Sequence, residues 1–314
     1  MPEPVPHERP LGNGFAALAA ATLALMVVGA LVRAHGAGLA CPDWPLCFGE
    51  LLPVFDMQVA LEWGHRVFAG SVSLGLVALS ALLLRRPPLA AAHGRKLAFA
   101  WALLLVQVLL GGATVLLKLA PWTVTAHLMT GTALLLSLAW LAADLRSASR
   151  GRTPAVPSGL GVPIAVALGV LVLQVLLGGL VSSRSAGLAC ADFPTCDGQS
   201  LLPTLEGGVA LHALHRLNGY ALLVAYAVLA LLTRGHPGLR RWSRAALGLI
   251  VLQIAIGATN VLLRLPPEIT ALHTLTAAGI ALTSALLLRE WLQAKAVEPG
   301  SSAPRVARAA LEAR

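Results

Sequence analysis

The segment QVLLGGATVLLKLAPWTVTAHL (residues 107–128) recurs later in the chain as QIAIGATNVLLRLPPEITALHT (residues 253–274). Each copy contains the end of one apolar run, a short turn with a single basic residue, and the start of a second run that carries a histidine. A helix needs about 20 apolar residues to cross a lipid bilayer. The repeat therefore predicts a pair of membrane helices joined by a tight turn, present twice in one chain.

The composition supports a membrane protein throughout. Of 314 residues, 57% are hydrophobic and only 12% are charged, and the mean hydropathy is +0.78. Soluble domains contain about 25% charged residues, so this chain cannot cover a water-exposed surface with polar groups. Aromatic residues make up only 5%, which favours closely packed helices over a β-barrel with aromatic girdles.

Eight apolar segments are long enough to span a membrane, and membrane lipid is therefore the chain's immediate partner. They cover approximately 12–33, 61–84, 97–117, 122–143, 160–182, 209–233, 245–263 and 268–288. Most of the 23 Lys and Arg residues fall in loops on one side, including Arg85, Arg86, Arg240 and Arg241. By the positive-inside rule both termini are predicted to be cytoplasmic. We therefore attribute the net charge of +9 to the orientation of the chain in the membrane and not to binding of nucleic acid.

Two further matches extend the repeat across the chain. AGLACPDWPLC (37–47) corresponds to AGLACADFPTC (186–196), and ALEWGHR (60–66) corresponds to ALHALHR (210–216). The first span could instead be a cleaved signal sequence, but its counterpart in the fifth span favours a retained helix. We predict an all-α integral membrane protein with eight transmembrane helices, arranged as two parallel-repeated four-helix bundles.

The repeat also sets the predicted domain boundaries. The N-terminal half covers 1–146 and the C-terminal half covers 160–290. Between them, 147–159 is rich in Ser, Gly, Pro and Arg and is predicted to be a cytoplasmic linker. The stretch 291–314 has the composition of a flexible tail.

Four histidines occupy equivalent places in the two copies: His65 with His215, and His127 with His273. Each lies one to two turns inside its span, on the predicted outer side of the membrane. Two imidazoles at matched depth in one bundle can ligate a haem iron from both faces. The alternative is a polar histidine that bonds a neighbouring helix. Zinc is less favoured, because the cluster lacks the Cys and carboxylate spacing of a tetrahedral site.

Arg66 and Arg216 follow two of these histidines directly, and a charge inside a span is costly. Guanidinium groups match carboxylate geometry, so we predict that the two arginines bind haem propionates. The alternative is that each side chain extends to the membrane interface.

The two copies disagree at one informative position. Glu62 in the first copy is replaced by His212 in the second, three residues before a predicted ligand and on the same helix face. Glu62 could orient water or take a proton above the edge of a haem held by His65. The alternative is a solvated acid at a helix start. His212 is either a loop-facing residue or a spare ligand.

All four cysteines lie in the predicted outer loops. Their even number and short equal spacing predict two local disulfides, Cys41 with Cys47 and Cys190 with Cys196. Whether these bonds are structural or redox-active is open.

The residues above resemble the haem A synthase family, over nearly the whole chain except the tails and linker. The shared pattern is eight spans in two halves, a Cys pair after the first helix of a half, ExxHR (Glu62, His65, Arg66) and the later His127. The second half continues it with His215, Arg216 and His273.

The resemblance implies an oxidoreductase of the cell membrane that converts a methyl group of haem O to the formyl group of haem A for terminal oxidases. It implies haem O as substrate between His65 and His127, haem b as cofactor between His215 and His273, and Glu62 as the catalytic residue. Cys41 and Cys47 would then be a functionally relevant pair. Haem O synthase and terminal oxidase assembly factors are the partners it implies.

Two other functions use the same histidines. A di-haem b-type electron-transfer protein needs the four ligands but no Glu62, and a haem transport or assembly scaffold would release haem unchanged. Ligation by two histidines leaves no open iron position for oxygen. We therefore expect that electrons are withdrawn from the substrate porphyrin and that water oriented by Glu62 supplies the oxygen atom.

Overall fold

The computed structural model describes residues 8–147, 158–199 and 206–295. Within these ranges the chain contains long α-helices and no β-strand, which confirms the predicted fold class. The helices are α1 (Glu8–Ala34), α2 (Met57–Leu84), α3 (Pro87–Leu116), α4 (Pro121–Ser147), α5 (Gly161–Ser183), α6 (Gly207–Leu232), α7 (Pro237–Leu262) and α8 (Pro267–Lys295). All eight are long and apolar enough to cross a membrane.

The helix starts follow from local sequence. Asp56 caps α2, because its carboxylate accepts a hydrogen bond from the backbone N–H of Val59 at 2.8 Å. Pro87 and Pro237 stand in the first turns of α3 and α7, where the fixed φ of proline suits a helix and its missing N–H costs nothing. Both helices therefore begin well before the spans predicted from about 97 and 245.

Each half is a ring of four helices in chain order. In the first half α1 contacts α2, α2 contacts α3, α3 contacts α4, and α4 closes the ring against α1. The second half repeats this order with α5, α6, α7 and α8. In such a ring α2 and α4 lie on one diagonal, as do α6 and α8. Side chains that project inward from these diagonal helices therefore face each other across the bundle.

The two halves pack along α1, α4, α5 and α8. Ala278 of α8 belongs to the apolar core of the first half. Asp144 on α4 accepts a hydrogen bond from Nε of Arg289 on α8 at 2.7 Å, and it also forms an ion pair with Lys96 on α3. Arg289 is buried and donates further to Oγ of Ser147 at 2.5 Å. Apolar packing and a buried ionic cluster thus join the halves.

The loops at the opposite end of the molecule contain both predicted disulfides. Cys41 is bonded to Cys47 and Cys190 to Cys196, as the spacing predicted. We call this the disulfide end: it comprises the loops 35–56 and 184–199 and the helix ends that meet them. The backbone conformation also repeats there, because Trp44–Pro45 and Phe193–Pro194 are both cis.

The predicted linker and tail fall largely outside the described residues. Ser147 is the last residue of α4, and a short 3-10 turn at Ser158–Leu160 leads into α5. α8 continues to Lys295, beyond the predicted end of the second half at 290. The rest of 147–159 and of 291–314 lies outside the described ranges.

Candidate functional site

The four predicted ligand histidines lie near the disulfide end, at matching positions in the two halves. His65 and His215 each stand eight residues beyond the first residue of α2 and α6, and His127 and His273 each six beyond the first residue of α4 and α8. At roughly 1.5 Å of rise per residue, these depths are about 12 Å and 9 Å. The two histidines of each half therefore lie at similar depth on diagonal helices.

The two imidazoles of each half lie close enough to interact electrostatically. His65 interacts electrostatically with His127, and His215 with His273. The sequence predicted these two pairs, and the ring order of the helices explains how each comes together. Among the described residues, no group of three or more His, Cys, Asp or Glu is placed to hold a metal ion.

A glycine on the preceding helix makes room for each imidazole. A Cβ added to any of the four glycines would come closer to Cε1 of the ring than ordinary van der Waals contact. The pairs, with the distance from that Cβ to Cε1, are Gly29 with His65 (3.1 Å), Gly111 with His127 (3.3 Å), Gly178 with His215 (3.1 Å) and Gly257 with His273 (3.2 Å). Close approach of a ring to a backbone requires glycine at these positions. Each ring is therefore fixed from the side by a helix backbone.

The arrangement fits a flat macrocycle ligated from both faces. The Nδ1 atoms of His65, His127 and His273 are buried, and none has a hydrogen-bond partner within the described part of the chain. A buried imidazole nitrogen without a partner is unusual and calls for a ligand or another explanation. An iron porphyrin could be held by one nitrogen of each imidazole in the pairs His65 with His127 and His215 with His273. The donors present thus suit a haem in each half.

Glu62 is buried and held at both carboxylate oxygens. Only 4% of the residue is exposed, so the alternative of a solvated acid is wrong. Its Oε2 accepts a hydrogen bond from the backbone N–H of Cys41 at 2.9 Å, and its Oε1 lies 2.5 Å from Nη2 of Arg66. The carboxylate therefore connects α2 to the first disulfide-bonded loop, one turn from His65.

Arg66 holds the same loop through its carbonyl groups. Its guanidinium donates to the carbonyl oxygens of Asp43 at 2.7 Å, Leu46 at 2.5 Å and Cys41 at 3.2 Å. Together with Glu62, these acceptors engage both terminal nitrogens of the guanidinium. The predicted propionate contact of Arg66 stays a prediction. In the structure Arg66 closes the loop over the end of α2.

The loop is also folded on itself and on α3. The Asp43 carboxylate accepts hydrogen bonds from the backbone N–H groups of Phe48 and Gly49, each at 2.7 Å. The hydrogen bond from Gly49 in particular holds the pKa of Asp43 below its ordinary value of 3.8, and Phe48 and Arg66 act in the same direction. Trp44 packs on Gly112 of α3, where a Cβ would lie 3.2 Å from its ring.

The second half builds a similar clamp with His212 in place of Glu62. Nδ1 of His212 lies 3.2 Å from the backbone nitrogen of Cys190, and Nε2 of His212 lies 3.2 Å from Nε of Arg216. A neutral imidazole has one acceptor nitrogen, so His212 accepts one of these two hydrogen bonds. Arg216 also donates to the carbonyl oxygens of Thr195 at 3.0 Å and Cys190 at 2.9 Å. His212 therefore faces the loop, as the first of its two predicted roles requires. The propionate contact predicted for Arg216 stays a prediction.

Sequence reasoning missed several residues that complete the site. Asp43 organises the first loop, and the amides of Gln107 and Gln174 lie beside the imidazoles of His127 and His215. Gln107 stands in the repeated segment opposite Gln253, so its register was visible in the sequence. Gln174 has no such signal, because the equivalent residue of the first copy is Leu25.

Comparison with known proteins gives a consistent result. The model of the family COX15-CtaA, described as cytochrome oxidase assembly protein, matches residues 15–61 and 54–286. A protein of Shewanella oneidensis named Heme A synthase is 31% identical over 304 residues, covering 83% of this chain and 91% of that protein. A Heme A synthase of Methylobacterium nodulans is 32% identical, covering 82% and 86%.

A third relative, the Heme A synthase of Symbiobacterium thermophilum, is 32% identical over 254 residues, covering 76% of this chain and 81% of that protein. The family match spans both halves, and therefore both histidine pairs and both disulfide-bonded loops. The chain belongs to the COX15-CtaA family of cytochrome oxidase assembly proteins.

Proposed function

We propose that this protein is a haem A synthase, which oxidises a methyl group of haem O to the formyl group of haem A. The observation that carries the proposal is the similarity to proteins named Heme A synthase, at about 30% identity over most of both chains. The duplicated histidine pairs, each set against glycines, support a haem site in each half. Glu62 is replaced by His212 in the second half, which supports different functions for the two sites.

The first half binds the substrate in this proposal. His65 and His127 ligate the iron of haem O, and Gly29 and Gly111 keep the two imidazoles against the helix backbones. In the second half His215 and His273 hold haem b. A bound haem b supplies one-electron redox chemistry. The chain's own contribution there is to fix two imidazoles at matching depth and to exclude water from them.

Glu62 is the catalytic acid and base of the proposed reaction. Its carboxylate is fixed by the N–H of Cys41 and by Arg66, so it points toward the loop at one turn from His65. A carboxylate in this place can accept a proton from a water molecule beside the substrate edge. Residues 41–47, closed by their disulfide, then serve to position Glu62, while His212 gives the second half the same clamp without an acid.

Water is the proposed source of the formyl oxygen. Conversion of the methyl group to a formyl group with oxygen from water releases protons and electrons in equal number. Glu62 receives protons, and a membrane electron acceptor such as a quinone is the oxidant that takes the electrons. Labelled water and labelled oxygen gas distinguish the routes. We expect the label in the formyl group from water; a label that comes only from oxygen gas, before exchange, excludes this route.

The proposed orientation places both termini in the cytoplasm and the disulfide end at the outer face of the cell membrane. The charge distribution of the loops supports this orientation. Haem O synthase and terminal oxidase assembly factors are proposed partners that would deliver haem O and receive haem A.

The direct test is mass analysis of haem extracted from a host that makes haem O but no haem A, after expression of this chain. We expect a haem whose mass corresponds to conversion of the methyl group to a hydroxymethyl or formyl group. Unchanged haem O in a protein that retains haem would instead favour the electron-transfer or the transport function.

A further inference from the structure

An exposed apolar segment follows the first disulfide. In FGELLPVFDM (residues 48–57) most side chains are apolar, and Leu51 and Val54 are 79% and 90% exposed. The other exposed apolar side chains of the segment are Phe48, Leu52, Phe55 and Met57. A group of neighbouring apolar side chains at a protein surface usually marks a contact with a partner or with a membrane. We call residues 48–57 the apolar segment.

The backbone of Phe48 also indicates an external contact. Phe48 has a φ of +57°, which is uncommon for a residue other than glycine and costs most for a bulky one. The Asp43 carboxylate holds this conformation by accepting hydrogen bonds from the backbone N–H groups of Phe48 and Gly49. The Phe48 side chain is nevertheless exposed, so packing within the described part of the chain does not offset the strain. A contact outside the protein would give phenylalanine a purpose at this position.

The apolar segment lies against α2 at Trp63. Nε1 of Trp63 donates to the carbonyl oxygen of Leu51 at 2.8 Å, and the rings of Phe55 and Trp63 meet edge to face with centroids 5.1 Å apart. Trp63 stands six residues beyond the first residue of α2, next to the predicted start of this span at 61. Tryptophan is enriched where membrane helices pass from lipid to water. The segment is thus held near the level of the membrane interface.

The exposed face of α2 continues from Trp63 into the span. Val67 is one turn beyond Trp63, and Leu74 follows seven residues later on the same face. Both side chains are exposed on a helix of an integral membrane protein, where the surrounding medium is lipid. The apolar segment extends this surface at its outer end. Continuity with a lipid-facing surface favours lipid over a protein as the occupant.

The second half carries a more polar version of the same region. The residues equivalent to Phe48, Val54 and Trp63 are Asp197, Thr204 and Ala213. The apolar character is therefore a property of the first half and not of the repeat. The apolar segment contains two acidic residues and no basic one, so attraction to anionic lipid headgroups does not explain it.

We propose that the apolar segment rests in the bilayer leaflet at the disulfide end, with phospholipid as its partner. The contact is made by apolar side chains and does not depend on the charge of the lipid. Glu62 and Arg66 hold residues 41–47 from the protein side. The leaflet holds the following residues, so the first loop is restrained at both of its parts.

A photo-crosslinking amino acid identifies the occupant directly. p-Benzoylphenylalanine replaces Leu52 or Val54 in the full chain, host-cell membranes are irradiated, and the adducts are identified by mass. Leu74, exposed within α2, is the control for lipid contact, and Gln199, exposed in the second loop, is the control for a position in water. We expect phospholipid adducts at Leu52, Val54 and Leu74, and about tenfold fewer at Gln199, the ratio that burial of one apolar side chain supports.

Phe48→Asp tests the role of the apolar side chains. Aspartate occupies the equivalent place in the second half and tolerates a positive φ better than phenylalanine, so the loop should keep its fold. We expect the phospholipid adduct at Leu52 to fall in this variant and to stay unchanged in the matched control Gln199→Asp. If Phe48→Asp does not accumulate, Val54→Thr makes the same comparison with the probe at Leu52. Purified protein in phosphatidylcholine vesicles should give equal adduct yields with and without phosphatidylglycerol.

Three results would overturn the inference. Adducts of Leu52 and Val54 with another protein would assign the segment to a protein partner. Phospholipid adducts at Leu74 without any at Leu52 and Val54 would show that the segment stands in water. Equal yields at Leu52 and Gln199 would show that lipid contact is common to exposed residues at this end. A yield that rises with phosphatidylglycerol would contradict the apolar nature of the contact.

Discussion

Glu62 and His212 contact equivalent backbone N–H groups in the two halves of the protein. Oε2 of Glu62 accepts a hydrogen bond from the backbone N–H of Cys41 at 2.9 Å, and Nδ1 of His212 lies 3.2 Å from the backbone nitrogen of Cys190. Both side chains also contact the arginine four residues later, Arg66 or Arg216. The clamp on the loop is therefore common to both halves, and the charge of the clamping residue differs. Holding the loop is therefore a structural role that both residues fill, whereas the proposed acid–base role belongs to Glu62.

The glycines beside the imidazoles can be tested by adding a methyl group. Gly29→Ala places a Cβ 3.1 Å from Cε1 of His65, and Gly178→Ala does the same to His215. We expect each change to turn its ring and to weaken haem binding in its own half by about 1–3 kcal/mol, the usual range for overpacking. The measurement is haem content and absorption spectrum after purification.

The controls for this prediction are Gly70→Ala and Gly169→Ala, on α2 and α5. A Cβ at either position meets no other atom within 4 Å, so alanine should leave haem content unchanged and favour the helix slightly. Equal haem loss in control and test variants would show that the glycines matter only for helix packing.

The ionic cluster between the halves predicts a difference between two equivalent acids. Asp144 pairs with Arg289, whose side chain is only 7% exposed, whereas Glu290 pairs with Arg241, whose side chain is 50% exposed. Removing one partner of a buried pair costs about 3–5 kcal/mol, but an exposed pair contributes about 0–1 kcal/mol. Asp144→Asn should therefore lower the thermal unfolding temperature in detergent far more than Glu290→Gln. Similar decreases in unfolding temperature in the two variants would contradict the assignment of Asp144 and Arg289 as a buried ion pair that joins the halves.

Arg66→Lys tests whether the guanidinium holds the first loop. Lysine has a single ammonium group and cannot reach the carbonyl oxygens of Cys41, Asp43 and Leu46 together. Hydrogen bonds to charged groups contribute about 1.5–3 kcal/mol each, so amide hydrogen exchange across residues 41–49 should accelerate at least tenfold. Arg85→Lys, at the other end of α2, is the control. Unchanged hydrogen exchange in Arg66→Lys would contradict the role of the guanidinium in holding the loop.

Acid should open the turn formed by Asp43. Its folded pKa lies below the ordinary value of 3.8, chiefly because the Gly49 N–H donates to the carboxylate. A depressed pKa gives stabilisation that is complete above about pH 3.8 and is lost as the pH falls through the folded value. Exchange at Phe48 and Gly49, corrected for its intrinsic pH dependence, should rise below that pH. Asp43→Asn should abolish this pH dependence of exchange. If the variant shows the same pH dependence as the unchanged protein, the Asp43 carboxylate is not its cause.

The fold was accessible from the sequence because the decisive signals are local and repeated. Apolar runs of membrane length predicted the helices, and the matched positions of His65 and His215 predicted a duplicated site. Helix starts were less accessible, because Pro87 and Pro237 extend α3 and α7 through polar turns that hydropathy does not register. The disulfide pairing followed from the equal spacing of the cysteines.

The contacts of the site were only partly accessible. Arg66 was recognised as a costly charge and Glu62 as a candidate acid and base, but both also bind backbone groups of the loop, and any sequence supplies backbone groups. The amide of Gln174 on α5 lies beside His215 on α6. This contact depends on how each helix is rotated about its axis and not on residue spacing. Periodicity and repeats therefore predict which residues meet, while side-chain hydrogen bonding requires the three-dimensional packing.

The most direct measurement of the central claim is haem A formation by a Glu62→His variant supplied with haem O. Histidine at this place should keep the clamp on the Cys41 loop, because His212 makes the equivalent contacts in the second half. We predict haem content equal to that of the unchanged protein and haem A formation lower by about 10²–10⁴-fold, the usual contribution of a general acid and base. Haem A formation at the unchanged rate in Glu62→His would contradict the account.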